Sequence, residues 1–279
     1  MKSAEVLLPD LDATVDIALA AGSLLRHYFE RKVAFEFKAD FDLVTEADKA
    51  SEQLVVERLR ARFPGHGIVA EEGGGNPAES EFCWYVDPLD GTSNFAHGYP
   101  VWCVTLAAEK AGELVVAVTF DPMRNELFTA TKGGGAYLNG QRMRVSKTRE
   151  LANALMVTGF PNHNRGANPN IHFYHQLAMS THGVRRAGSA ALDMASVAAG
   201  RLDAFWEIGL NPWDIAAGKL LVAEAGGVCT DMKGGPHHHV GAAHLLADNG
   251  LLHEETTERF REIFAGHLRH PLPALTSLP

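Results

Sequence analysis

The sequence predicts two styles of architecture in succession: an α+β first half over residues 1–146 and an α/β second half over residues 147–279. Two capped helix patterns near the start are followed by apolar segments separated by tight turns, as in a meander of mostly antiparallel strands. After the polar joint Lys147-Thr148-Arg149-Glu150, single strands alternate with helices, as in an α/β unit. No stretch repeats, which argues against a solenoid or propeller.

Each element has a local reason. Asp10 can cap a helix whose Leu11, Val15, Ala18, Gly22, Leu25 and Phe29 recur on one face. Residues 32–37 alternate like a strand. Thr45-Glu46-Ala47-Asp48 has capping-box spacing and opens a helix to about Phe63. A turn over 64–67 leads to the short strand Ile68-Val69-Ala70, which ends at Glu71-Glu72, and 73–80 is a loop. Strands follow at 84–87, 101–108, 114–120, 126–131 and around Tyr137, with Gly112 and Asn139-Gly140 marking tight turns. In the second half 154–158 reads as a strand, 162–170 as an Asn-rich loop and 171–180 as a helix. Ser189 caps a helix ending at Gly200, 203–207 is a strand, Trp213-Asp214 opens a helix ending at Gly226-Gly227, and 228–230 is a strand. The proline-bearing tail 270–279 is expected to lie extended or frayed.

Composition narrows the function. A hydrophobic share of 46% and a charged share of 21% are those of a soluble globular protein. The net charge of −9 provides no footprint for direct nucleic-acid or membrane binding. An anionic substrate must therefore be attracted by something other than bulk charge, and bound cations would serve. Cys83, Cys103 and Cys229 are odd in number and show no metal-ligand spacing, which suits buried thiols in a reducing compartment. With no leader-like or membrane-spanning run, the expected location is cytoplasmic.

Residues 84–95 carry the strongest chemical signal. A buried strand stops at Asp87, Pro88 sets a turn, Asp90 adds a second carboxylate, and a helix begins after Gly91. Gly91 allows close backbone approach, and Thr92 and Ser93 offer the N–H groups of a helix start to an anion. Cation-holding acids beside phosphate-holding donors suggest metal-assisted phosphate chemistry. Glu71, Asp87 and Asp214 each end a strand or begin a helix, with Asp90 and Asp48 in comparable places. Hard cations such as Mg²⁺ prefer such oxygen ligands. Each acid also has a plainer local reading. Asp87 and Asp90 suit an acidic turn, Asp48 the last residue of a capping box, Asp214 a helix N-cap, and Glu71 a solvated strand end. His237-His238-His239 reads as an exposed loop, and His97 as an exposed or structural histidine near the main motif.

Taken together, Asp42-Leu43-Val44-Thr45-Glu46-Ala47-Asp48, Ala70-Glu71-Glu72, residues 84–95, Gly188-Ser189-Ala190-Ala191-Leu192, Phe205-Trp206-Glu207-Ile208-Gly209 and Asn211-Pro212-Trp213-Asp214 resemble the inositol monophosphatase family, in the cadence of its bacterial SuhB-type members. The resemblance spans nearly the whole chain. It implies a layered αβαβα sandwich of the inositol monophosphatase and fructose-1,6-bisphosphatase type, a homodimer, and a Mg²⁺-dependent, lithium-sensitive phosphatase. It implies two or three Mg²⁺ per subunit: the first on Glu71, Asp87 and the Leu89 carbonyl, the second on Asp87, Asp90 and Asp214, and a weaker third on Glu71 with Asp48 nearby. It assigns Thr92, bonded towards Asp48, to the attacking water, with Glu71 also catalytic. Gly91 and Thr92 then grip the phosphate, and Asp90, Ser189, Ala190, Glu207 and Asp214 border the substrate.

The implied substrate is inositol 1-phosphate. The alternatives are the sibling substrates fructose 1,6-bisphosphate, histidinol phosphate and a nucleotide 3′-phosphate. The Thr92-Ser93-Asn94-Phe95 run favours the inositol type over the histidinol type. Bacterial relatives also imply a second role in transcription antitermination with RNA polymerase. One departure is Asn211-Pro212, where some relatives carry a polar ring next to the leaving alcohol. Lys38 is out of register with the lysine often found before the Asp-Leu-Val-Thr motif and is left out of the site.

Overall fold

The structure, a computed structural model, describes residues 8–31, 35–39, 42–73, 75, 80–160, 168–240 and 244–272, with side chains left aside for 35–39 and 42–44. The expectations for 32–34, for the Lys38 side chain, for most of the 73–80 loop, for most of the Asn-rich loop and for the end of the tail lie outside what is described.

Helix α1 (Leu11–Glu30) starts where Asp10 accepts the Ala13 N–H at 3.0 Å. Its buried face is Thr14, Ile17, Ala18, Ala21, Gly22 and Leu25, rotated from the expected stripe towards small residues. The reason is close packing: a Cβ on Gly22 would lie 2.5 Å from the ring of Phe120. The hairpin β1 (Phe35–Ala39) and β2 (Asp42–Thr45) leads into α2 (Glu46–Arg62). The predicted capping box opens α2, with the Thr45 N–H donating to Asp48 Oδ2 at 2.7 Å.

The first sheet has seven strands in chain order: β3 (Gly67–Ala70), β4 (Phe82–Asp90), β5 (Cys103–Lys110), β6 (Glu113–Asp121), β7 (Glu126–Thr131), β8 (Gly135–Leu138) and β9 (Gln141–Arg142). Only β3 and β4 run parallel; the rest form the antiparallel meander. The short α3 (Thr92–Ala96) follows β4. The second sheet holds β10 (Leu155–Thr158), β11 (Gly183–Arg185), β12 (Ala204–Ile208), β13 (Val228–Thr230) and β14 (His244–Asp248), ordered β11-β10-β12-β14-β13. Its helices are α4 (Asn170–Ser180), α5 (Ala190–Ala198), α6 (Pro212–Glu224) and α7 (His253–Phe264).

Side-chain alternation turns these elements into layers. Trp84 and Val86 of β4 join the core under α1 and α2, whereas Tyr85 between them joins the core around α5 and α6. In β12, Phe205 faces α5 and α6, while Trp206 packs with Phe173 of α4 and Phe260 of α7. The result is the αβαβα sandwich. Fully burying each such aromatic removes it from water at about 25 cal/mol per Å². The Trp84 indole N–H is satisfied by His66 Nδ1 at 3.0 Å. Among the described residues no helix is long and apolar enough to cross a membrane.

Two regions depart from the sequence reading. His237-His238-His239 is not uniformly exposed. His238 is exposed, whereas His237 and His239 are half-buried. The carbonyl of His237 accepts from Lys219 Nζ at 2.7 Å, and His239 meets Glu109 at 2.6 Å and the Tyr85 ring edge-on. Strand β14 and helix α7 were not foreseen, because α7 has no side-chain N-cap and is anchored chiefly by Phe260 and Ile263 amid charged residues.

At the start of α7, His253 Nδ1 lies 2.8 Å from the buried carboxylate of Asp248, whose hydrogen bond and charge raise the histidine pKa. A raised folded-state pKa contributes stability that is present below the unfolded value and lost as pH rises through the folded one. His253→Gln should therefore lower the melting temperature more at pH 6 than at pH 9, by roughly 2–4 °C for each kcal/mol lost. Equal losses at both pH values, read by thermal denaturation, would refute the ion pair.

Candidate active site

Strand β4 delivers two acids to one face. A regular strand points residues three apart to opposite sides, but the pairing with β5 shifts between Asp87 (opposite Thr105) and Asp90 (opposite Cys103). Three steps on β4 match two on β5, and this bulge at Pro88 returns Asp90 to the side of Asp87. The turn is pinned from behind, since Ser51 of α2 donates to the Pro88 carbonyl at 2.9 Å. Asp87 accepts the Leu89 N–H at 3.0 Å. Gly91 then takes φ +97°, and a Cβ there would lie 2.8 Å from the Val101 carbonyl, so glycine is required twice over.

The second half closes over these acids. Asp90 Oδ2 accepts the Ser189 hydroxyl at 2.6 Å and the Ala191 N–H at 2.7 Å, and the Ala190 N–H also bonds Asp90. Asp90 thus sits at the N-terminus of α5, where orphan N–H groups favour an anion. Asn94 bridges the halves, donating to the carbonyls of Val101 at 2.8 Å and Ala187 at 2.9 Å. Asp214 is not the helix N-cap expected from sequence. Asn211 holds that place, and Asp214, two residues into α6 beyond Pro212, accepts the Asn211 N–H at 2.7 Å.

Glu71, Asp87, Leu89, Asp90, Gly91, Thr92, Ser189, Ala190, Glu207 and Asp214 all line one cavity of about 230 Å³. Asp48 does not; it is 1% exposed and lies behind Thr92. The Thr92 hydroxyl has one proton for two acceptors, Asp48 Oδ1 at 3.0 Å and the Leu89 carbonyl at 3.1 Å. His97 lies exposed at the end of α3 and does not line the cavity.

Crowding the acids shifts their protonation. Burial, then the charges of Glu71, Asp90 and Asp214, holds the Asp87 carboxyl well above its usual range. Burial also raises Asp90, against the donors from Ser189, Ala191 and Ala190. Asp214 is pushed up to about 7 by burial, and Glu207 to about 8 by burial and by Asp214 and Asp90. Burial raises Asp48 against the bonds from Thr45 and Thr92.

Oxygen-only donors of this kind match a hard cation such as Mg²⁺, and one oxygen each of Asp87, Asp90 and Asp214 is already fixed by a protein donor, as ligand carboxylates usually are. Among the described residues no three His, Cys, Asp or Glu side chains close around a single point. Like charges repel, and these acids share the cavity and raise one another's pKa without closing on one point.

A model of the inositol monophosphatase family matches residues 7–265. The chain belongs to this family. The Nus factor SuhB of Pseudomonas aeruginosa is 45% identical over 249 residues, covering 86% of this chain and 92% of the relative. Among solved structures, the suppressor protein SuhB from Bartonella henselae superposes with a TM-score of 0.85 at 36% identity, covering 90% of this chain and 98% of that one. The inositol monophosphatase from Anabaena gives 0.81 at 40% identity, covering 96% and 98%. The layered sandwich is thus the family fold in sequence and in structure.

Several residues that line the cavity were not foreseen from the sequence. Gly159 follows β10, and a Cβ there would lie 2.1 Å from Glu207 Oε2, so a side chain would displace that carboxylate. Arg186 and Asp193 also line the cavity. Asp193 lies four residues after Ser189, on the same helix face, so helical spacing could have found it. No local signal marked Gly159 or Arg186. Gly91→Ala should cost about 1–3 kcal/mol, because it forces a side chain into the left-handed region as well as against Val101. An unchanged melting temperature would sink that expectation.

Proposed function

We propose that the chain, acting as a homodimer, hydrolyses a small phosphate monoester, with inositol 1-phosphate the substrate that fits best. Membership of the family supports phosphatase chemistry. The single observation that carries the reading is that buried carboxylates and the Gly91–Thr92 helix start share one cavity. The name of the Anabaena relative favours an inositol phosphate over the sibling substrates.

In this reading Glu71, Asp87 and the Leu89 carbonyl hold one Mg²⁺, and Asp87, Asp90 and Asp214 a second. Glu71, with Asp48 nearby, supports a weaker third. Bound there, Mg²⁺ supplies charge neutralisation at the phosphate and lowers the pKa of a water. The chain's own residues do the rest. The N–H groups of Gly91 and Thr92 hold phosphate oxygens beside the left-handed Gly91. Thr92 Oγ1, its proton directed to Asp48 Oδ1, orients the attacking water and accepts its proton as Asp48 takes the hydroxyl proton. Water oxygen bonds to phosphorus as the bond from phosphorus to the ester oxygen breaks, the departing alkoxide takes a proton from solvent water, and no covalent enzyme intermediate forms. Glu207, seated against Gly159, accepts a hydroxyl of the leaving alcohol, with the Ala190 N–H alongside.

A panel of inositol 1-phosphate, fructose 1,6-bisphosphate, histidinol phosphate and a nucleotide 3′-phosphate, assayed for released phosphate, tests the substrate assignment. Inositol 1-phosphate should lead, and activity should vanish with a chelator and fall with lithium. Asp87→Asn should reduce Mg²⁺-dependent turnover by about 10² or more while circular dichroism stays unchanged. Near-normal turnover would remove Asp87 from the metal site.

A second role is favoured by one observation, the Nus factor name of the Pseudomonas relative. It would make the chain an accessory of transcription as well as an enzyme. Capture of RNA polymerase from lysate on the immobilised protein is the expected result; recovery of none eliminates the role.

A further inference from the structure

Asp193 stands apart from the acids that the mechanism uses. It is the fourth residue of α5, only 3% of it is exposed, and its Oδ2 has no hydrogen-bond partner among the described residues. It lines the active cavity, and also a second cavity that runs along β7 and β11. Its neighbours are of mixed sign. The carboxylates of Glu207 and Asp90 push its pKa up further after burial has done so, and only Arg186, which lines both cavities, opposes them.

A buried carboxyl beside another carboxyl, without a donor of its own, costs a protein stability. Folds keep such groups where a ligand supplies what the fold does not. The missing group here is a hydroxyl donor. Glu207 comes from β12 and Asp193 from α5, so two rigid elements bring two acceptors to one end of the cavity. The exposed Arg186 tempers their charge without bonding either acid. Two neighbouring acceptors suit an alcohol with neighbouring hydroxyls, and a site built to bond a hydroxyl discriminates strongly against an analogue without one.

We propose that Asp193 is a specificity-determining residue that, with Glu207, accepts hydroxyls of a polyol leaving group. The proposal rests on the phosphatase reading above and deepens it to the class of alcohol.

Asp193→Ala and Asp193→Asn, made in the full chain, test it with two esters: inositol 1-phosphate, and para-nitrophenyl phosphate, whose alcohol carries no further hydroxyl. For Asp193→Ala the ratio of kcat/KM between the two esters should fall at least tenfold, about 1.4 kcal/mol, chiefly through KM for the inositol ester. Asp193→Asn keeps one carbonyl acceptor and should lose less. Asp193→Ala should melt at a higher temperature than the parent, because an unpaired buried acid is gone.

An unchanged ratio overturns the proposal whatever the melting temperature does. So does a lower melting temperature with equal losses on both esters, which would mark a packing role. If the parent hydrolyses neither ester, the phosphatase reading fails separately. Saturation-transfer NMR with free myo-inositol then decides Asp193: binding by the parent that Asp193→Ala loses supports it, and equal or absent binding overturns it.

Discussion

Asp90 ties the two halves of this protein together at the point where the chemistry is expected. It ends a strand of the first sheet, yet its Oδ2 is taken by the Ser189 hydroxyl and the Ala191 N–H at the start of α5. Moving Asp90 therefore moves the first turn of α5, and with it Ala190 and Asp193. The bond from Asn94 to the Ala187 carbonyl holds the same joint from the side. Charge-assisted bonds of this kind exceed neutral ones, and they act where the dipole of α5 also favours the acid. The rest of the cavity depends on this joint, because these bonds tie β4 and its turn to the start of α5.

The same contact shows how the fold tolerates like charges in one place. The pKa values of Asp87, Asp90, Asp214 and Glu207 are all raised by burial, and all but that of Asp90 also by the charges of their neighbours in the group. Left to electrostatics alone, several would hold protons near neutral pH. The protein counters by fixing one oxygen of each of the three aspartates with a backbone donor: Leu89 for Asp87, Ala191 for Asp90, Asn211 for Asp214. Those donors set direction and leave the remaining charge for the cation proposed above, which would couple stability and metal affinity in the same side chains.

Much of this was legible in the sequence where the relevant residues are neighbours in the chain. Asp87, Pro88, Asp90, Gly91 and Thr92 lie within one strand, turn and helix start, and their residue types dictate the backbone. The capping box at Thr45 and Asp48 was likewise local, and it places Asp48 within reach of Thr92. The two styles of architecture followed from apolar periodicity. Elements without a local signal stayed hidden: α7 starts without a capping side chain, and the buried face of α1 was set by Phe120 from a distant strand. Asp214 was legible as a residue near a helix start but not as the acceptor of the Asn211 N–H, since one acidic residue suits either place.

That difference in legibility has a physical origin in how the two ends of the cavity are built. The proposed phosphate end comes from one continuous segment, braced by Ser51 and Asp48 of α2, so its geometry is nearly fixed once β4 has formed. The proposed alcohol end is assembled from Gly159, the 186–193 segment, Glu207 and the start of α6, four pieces that meet only when the second sheet folds. Gly159 illustrates the consequence: Glu207 fits because the strand beside it ends in a residue without a side chain, and neither position signals the other in sequence. A change in any one piece reshapes the alcohol end without disturbing the bulge at Pro88 or the helix start at Thr92. In the proposed function the substrate's alcohol is therefore the part that such a fold can vary at least cost, while the chemistry at phosphorus stays tied to β4.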